Sequence, residues 1–185
     1  MSELTRAMSQ STHNPTSHSS GKVQLRRLGT IHEDAVPILF HEGVFEDIIE
    51  FSHQDLRREI GGFLIGGPYE ADREYVEIRN FLPAEDTKSR AASLTFTHDT
   101  WSAMNREVEA KFPDDKVVGW HHTHPGFGIF LSAHDLFIHR NYFSAPWHVA
   151  LVVDPKAKEF GFFQWSGGEV VDCGFTFMFE KPDGG

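Results

Sequence analysis

Val117-Val118-Gly119-Trp120-His121-His122-Thr123-His124-Pro125, followed six residues later by Ser132-Ala133-His134-Asp135, is the stretch whose reading decides the fold. The apolar run into the histidines reads as a buried strand. In an extended strand His122 and His124 leave the same face, and His121 leaves the opposite one. Pro125 stops the strand, because it has no N–H to give to a ladder. Ser132 with an acidic residue three positions on is a variant of the capping box, so a helix starts there and Asp135 sits in its first turn. Two imidazoles at a strand end and a carboxylate fixed at a helix start can hold one metal ion. Three protein ligands leave a position for water, as in a catalytic zinc site, whereas a structural zinc is usually closed by four.

Outward from this stretch, the pattern predicts alternating strands and helices. Val23 to Leu39 reads as one or two strands. His41 to Arg57 reads as a helix with Val44, Phe45, Ile48, Ile49, Ser52 and Leu56 on one face. Ile60 to Ile65 is an apolar run bracketed by glycines, hence a short buried strand, with Glu59 at its mouth. Tyr75 to Leu82 and Leu94 to Thr97 read as strands on either side of a polar loop, Pro83 to Ser93. Asp99 to Phe112 is a second helix with Trp101, Met104 and Val108 on its apolar face. Lys116 to His124 is the histidine-bearing strand and Ser132 to Tyr142 the third helix. Trp147 to Val153 is a buried strand ended by Asp154-Pro155. Glu159 to Trp165 and Glu169 to Phe179 form a hairpin across Ser166-Gly167-Gly168.

Composition bounds the function. The 185 residues suffice for one domain with a substantial core, and 17 phenylalanines make that core aromatic. Residues 1–21 are polar with little to bury, which predicts a disordered tail, 22–180 form the domain, and 181–185 are a flexible end. A formal charge of −10 and scattered basic residues argue against nucleic acid as a partner. No run approaches the length of a membrane span, and the first residues do not read as a signal peptide, so a cytoplasmic protein is expected. The single cysteine, Cys173, allows no internal disulfide and lies in an apolar run, as a buried inert thiol does.

The joint pattern His122-Thr123-His124-Pro125, six residues, Ser132, two residues, Asp135 resembles the signature of the JAMM (MPN-plus) metalloproteases. That family also carries an upstream Glu-x-x-Gly-x-x-x-Gly, and Glu59-Ile60-Gly61-Gly62-Phe63-Leu64-Ile65-Gly66 matches it. The resemblance covers roughly Glu42 to Phe179. It implies a single mixed α/β domain, cytidine-deaminase-like, with a curved, mostly antiparallel central sheet flanked by helices. It also implies one Zn2+ on His122, His124 and Asp135. Glu59 would serve as general base and then general acid. Ser132 would hydrogen-bond the developing oxyanion or the metal-bound water, a role compatible with capping because a hydroxyl can accept and donate at once.

The activity so implied is hydrolysis of the isopeptide or peptide bond after the C-terminal glycine of ubiquitin or a ubiquitin-like protein. The short polar loop, and the lack of a long helical extension or of a cysteine and histidine cluster for a second zinc, resemble minimal stand-alone members such as those encoded beside bacterial ubiquitin-like systems. Two alternatives stay open: a related branch that releases sulfur-carrier proteins or cleaves small cysteine adducts, and a non-catalytic MPN scaffold. Among the other histidines, His121 and His134 read as bystanders, and His139, one turn beyond Asp135, as a candidate supporting residue. The terminal Gly184-Gly185 reads as a frayed end. His32-Glu33 and His41-Glu42 lack the second histidine of a zincin helix, and no phosphate-binding or dinucleotide fingerprint is present.

Overall fold

β5 (Lys116–Thr123) is buried from Val118 to Thr123, and the adjoining β6 (Val149–Asp154) is buried throughout. A strand covered on both faces belongs at the centre of a sheet. β5 pairs antiparallel with β3 (Gly61–Glu70) and parallel with β6, and the crossover to β6 carries α3 (Ala133–Tyr142). The computed structural model describes residues 22–70, 74–84 and 98–181. The predicted tail 1–21, residues 182–185 of the predicted flexible end, the expected strand at Leu94 to Thr97 and most of the polar loop before it lie outside the described residues; Lys181, placed in the flexible end by sequence, is the last residue of a strand.

The remaining elements are β1 (Lys22–Leu28), β2 (Ile38–His41), α1 (Glu42–Ser52), β4 (Glu74–Pro83), α2 (His98–Lys111), β7 (Glu159–Ser166), β8 (Glu169–Cys173) and β9 (Phe175–Lys181). Among the described residues, nine strands form one sheet in the order β1-β9-β2-β4-β3-β5-β6-β7-β8. Five of the eight pairings are antiparallel, so the sheet is mostly antiparallel, as expected. One core lies under α1, where Val44, Phe45 and Ile48 meet Phe40, Ile78, Leu151, Phe162 and Phe175. The other lies under α2 and α3, where Met104, Val108 and Ile138 meet Phe63, Ile65, Trp120 and Val152. Phe40 makes edge-on contacts with Phe45, Phe162 and Phe175, the geometry ring quadrupoles favour.

Three elements differ from the sequence expectation. α1 stops at Ser52 rather than Arg57: the Ser52 hydroxyl donates to the Ile48 carbonyl and Asp55 accepts the amides of Arg57 and Arg58, a local turn that competes with another helical one. Leu56 is consequently outside the helix and exposed. β3 runs on through Gly66-Gly67 to Glu70, so those glycines lie inside the strand. At Gly66 a Cβ would fall on the Glu77 carbonyl, and a bulge marks the close approach of β4.

The last predicted strand is two strands. β8 completes the hairpin with β7 across Gly167 and Gly168, both at positive φ. The chain then breaks at Gly174, and β9 joins β1 and β2 near the opposite end of the strand order. A side chain at Gly174 would meet the Leu28 carbonyl and the backbone of Gly29, so the crossing needs glycine there. For β8 to pass directly into β9 the sheet must curl. Phe162 of β7 and Phe175 of β9 accordingly touch, with ring centroids 5.0 Å apart.

Candidate metal centre

The curl and the crossover bring the end of β5 against the start of α3. His122 Nε2 and His124 Nε2 are 3.0 Å apart, and Asp135 Oδ2 lies 3.4 Å from the first and 3.7 Å from the second. Ligand atoms about 2.0–2.2 Å from a tetrahedral ion stand about 3.3–3.6 Å from one another. The three donor separations lie within about 0.3 Å of that spacing, close to one face of such a polyhedron, and all three residues are buried. Two neutral imidazoles and a carboxylate suit zinc or a similar divalent ion.

Each donor is aimed by a different device. His124 Nδ1 lies 3.2 Å from the Gly128 carbonyl; donating there leaves Nε2 with a free lone pair. The His122 ring is stacked on Trp120, with centroids 4.6 Å apart and planes inclined by 10°. Asp135 is fixed by the capping box: its amide donates to Ser132 Oγ at 3.1 Å and its Oδ2 accepts the Ser132 amide at 2.7 Å. Ser132, expected to cap and to act in the site, caps as expected.

Glu59 reaches the same place from the segment just before β3. Thr123 ties the two strands at this end: its hydroxyl accepts the Ile60 amide at 3.0 Å and its own amide donates to the Ile60 carbonyl at 2.9 Å. Gly61 pairs with His122, and Glu59 Oε1 comes to 3.9 Å from His124 Nε2, with the side chain about a third exposed at 33%. A side chain at Gly61 would overlap the His121 carbonyl, so the close strand pairing beneath the site depends on glycine.

The electrostatics favour positive charge between these groups. Burial opposes ionisation of Asp135, but hydrogen bonds with His122 and His124 outweigh it and hold the carboxyl well below the usual carboxylate range. Burial likewise works against charge on His124, yet Asp135 and then Glu59 raise its pKa. A pocket that draws a proton to Nε2 draws a cation to the same point.

The other histidines divide as expected, with one addition. His121 faces the core under α1 between Phe51 and Phe81, with Nδ1 3.1 Å from the Leu151 carbonyl. Burial, and then His122, push it down to about 3. His134 is exposed. His139 is buried and accepts the indole N–H of Trp120 at 3.1 Å, so it supports the plate on which His122 stacks. Burial and then His148 push it down to about 3. Cys173 lies away from the site in β8, its thiol raised to about 12 by burial and by Asp172. Sequence reasoning missed Thr123, Trp120 and Asp154 as parts of this centre. By sequence Asp154 reads only as a strand end; in the structure its carboxylate accepts the amides of Gly126 and Gly128 in the segment after His124.

No described helix is long and apolar enough to cross a membrane. The family model described as JAB1/Mov34/MPN/PAD-1 ubiquitin protease matches residues 35–145, which include Glu59, His122, His124, Ser132 and Asp135. Among curated relatives, subunit 5 of the COP9 signalosome complex of Eremothecium gossypii is 33% identical over 131 residues, 68% of this chain and 28% of that protein. The NAD(+) hydrolase TcpA of a Theionarchaea archaeon is 30% identical over 104 residues, 56% of this chain and 29% of the relative. The 26S proteasome regulatory subunit RPN11 of Candida glabrata is 34% identical over 70 residues, 37% of this chain and 23% of that subunit. The chain thus spans less than a third of the length of each of these three. A family match over more than half of the chain, converging on the same buried His122-His124-Asp135 cluster, leads to one conclusion: the chain belongs to the JAB1/Mov34/MPN/PAD-1 ubiquitin protease family.

Proposed function

We propose that this chain is a zinc-dependent peptidase that cleaves after the C-terminal glycine of ubiquitin or a ubiquitin-like protein, freeing it from a target or a precursor. The observation that carries the reading is the spacing of the three donors, 3.0, 3.4 and 3.7 Å, with the Glu59 carboxylate, from the segment before β3, at the rim. The family's description as ubiquitin protease supports the substrate class. The non-catalytic scaffold reading is disfavoured, because Glu59 and all three metal donors are present and converge. The NAD(+) hydrolase relative matches over 29% of its own length, and its named activity is not carried over.

His122, His124 and Asp135 would hold the ion. Bound there, zinc would polarise a carbonyl as a Lewis acid and bring the pKa of a coordinated water towards neutrality. Glu59, partly exposed and within 3.9 Å of His124 Nε2, takes the proton of the attacking water and passes it to the departing amine. Ser132 Oγ accepts the Asp135 amide, and its hydroxyl, which also contacts the Asp135 carboxylate, would turn to donate to the oxygen that gains negative charge. Phe130, 45% exposed with its ring 4.6 Å from that of His124, gives the approach a flat apolar wall. A diglycine strand, having no side chains, can lie against such a wall with its carbonyl close to the donors.

The test is cleavage of a ubiquitin-like protein fused through its glycine tail to an unrelated protein. The expected result is cleavage after the last glycine, abolished by a chelator and slowed sharply when that glycine is replaced by a bulky residue. If no such fusion is cut while a small cysteine adduct is hydrolysed in the presence of zinc, the sulfur-carrier alternative replaces this reading.

A further inference from the structure

Asp154 ends β6 with 1% of its surface exposed and lies outside the set of residues assigned to the reaction. Its carboxylate takes four backbone amides. Oδ1 accepts from Gly126 at 2.8 Å and from Lys156 and Ala157 at 3.0 Å each, and Oδ2 accepts from Gly128 at 2.9 Å. Lys156 and Ala157 belong to its own turn, as is usual for an aspartate after a strand. Gly126 and Gly128 do not: they lie in the segment that carries the chain from His124 towards Ser132. Both have positive φ, +86° and +85°, a conformation that favours glycine.

Gly128 is held on both sides. Its N–H goes to Asp154 Oδ2, and its carbonyl faces His124 Nδ1 at 3.2 Å. A neutral imidazole has one N–H, and the nitrogen that carries it is set by the partner it finds. The Gly128 carbonyl therefore favours the tautomer with a lone pair at Nε2, against the pull of the Asp135 and Glu59 carboxylates on a proton there.

We propose that Asp154 is a positioning residue for the metal centre: by anchoring Gly128 it holds the carbonyl that takes the Nδ1 proton of His124, and so keeps the Nε2 lone pair turned towards His122 and Asp135. The inference rests on reading His124 as a metal ligand and goes beyond it, because Asp154 touches neither ion nor substrate. Replacing Asp154 by asparagine sets an amide donor against a backbone N–H, so at least one of Gly126 and Gly128 loses its acceptor. Outer partners of metal-binding histidines typically change affinity by about 10–100-fold when altered.

The experiment is 15N NMR of histidine-labelled, metal-free protein at a pH where imidazoles are neutral, paired with Zn2+ affinity by competition with a chromophoric chelator. In the wild type, His124 is expected as a single Nδ1–H tautomer. In Asp154→Asn it becomes a mixture, and Zn2+ affinity of the folded protein falls by about 10–100-fold. Ile48→Ala, which opens a cavity in the core under α1, controls for general loosening: it lowers stability and leaves tautomer and affinity as they are. An Nε2–H tautomer in the wild type overturns the proposal whether or not any variant folds. So does an Asp154→Asn protein with unchanged tautomer and affinity, or an equal affinity loss in Ile48→Ala. A wild type that takes up no Zn2+, but whose His124 tautomer still changes in Asp154→Asn, removes the metal reading and leaves the anchoring of His124 by Asp154 standing.

Discussion

The indole of Trp120 and the imidazole of His122 lie face to face, centroids 4.6 Å apart, because residues two apart on a strand share a face. The stack has a specific task. His122 Nδ1 is buried without a hydrogen-bond partner among the described residues, so no hydrogen bond at that nitrogen sets the ring's orientation. Trp120 is itself fixed by its N–H to His139 and by the ring of Phe143 behind it.

Trp120→Phe should therefore keep zinc affinity close to wild type, since a ring still backs His122. Trp120→Leu should weaken it by up to about tenfold, the worth of an aromatic pair contact. Chelator competition on the two purified variants measures the difference, and equal affinities would show that the stack does not orient His122.

Loading with zinc should raise the melting temperature of the wild type, because an ion bound only by the folded state stabilises it by about 2.7 kcal/mol at a hundred times its Kd. His122→Ala and His124→Ala should show no such rise and no stoichiometric metal by elemental analysis. Asp135→Ala should lose the metal and also lose about 0.3–1.5 kcal/mol of metal-free stability, since it removes the N3 half of the α3 capping box. Urea unfolding of the metal-free proteins separates the two effects.

Glu59→Gln should retain fold and zinc and lose turnover by at least about two orders of magnitude, because the amide cannot accept the proton. Metal content and single-turnover cleavage measured on the same preparation decide it. A near wild-type rate places the base elsewhere.

His121 sets an acid limit on stability. Its pKa is lowered to about 3 in the folded chain against an ordinary value near 6.5, so between those values the unfolded chain carries a proton that the folded one does not. Stability then falls as pH drops through that window, by up to about 1.4 kcal/mol per pH unit for one such group. His121→Asn, which can keep a donor towards the Leu151 carbonyl, should flatten the slope measured by urea unfolding at several pH values. Unchanged slope would mean that His121 is not held neutral.

The legible parts of this molecule were those written in local spacing. His122 and His124 share a face by their i, i+2 separation, and Ser132 with Asp135 marks a helix start, so most of the centre follows from a few neighbouring residues. What escaped depends on distant partners. Asp154 looks like a strand end until the amides of Gly126 and Gly128 are brought to it across 28 and 26 positions of chain. Gly174 sits in an apolar run that reads as one strand, and only the backbone at Leu28 and Gly29 makes it a crossing point. The end of α1 differs from the sequence pattern for a related reason: Leu56 continues the apolar spacing, but Ser52 and Asp55 offer the backbone local alternatives.

One oxygen at the centre has two duties. Asp135 Oδ2 takes the Ser132 amide and is also the carboxylate oxygen within 3.4 and 3.7 Å of the two imidazoles. The start of α3 and the occupancy of the site are therefore linked equilibria, and linkage is reciprocal. An ion that fixes Asp135 slows fraying of the first turn, and any event that frays that turn weakens the hold on the ion by the same free energy. Amide exchange at the start of α3 thus becomes a gauge of metal loading that needs no substrate, and a partner that grips this helix start would tune the metal affinity from outside the site.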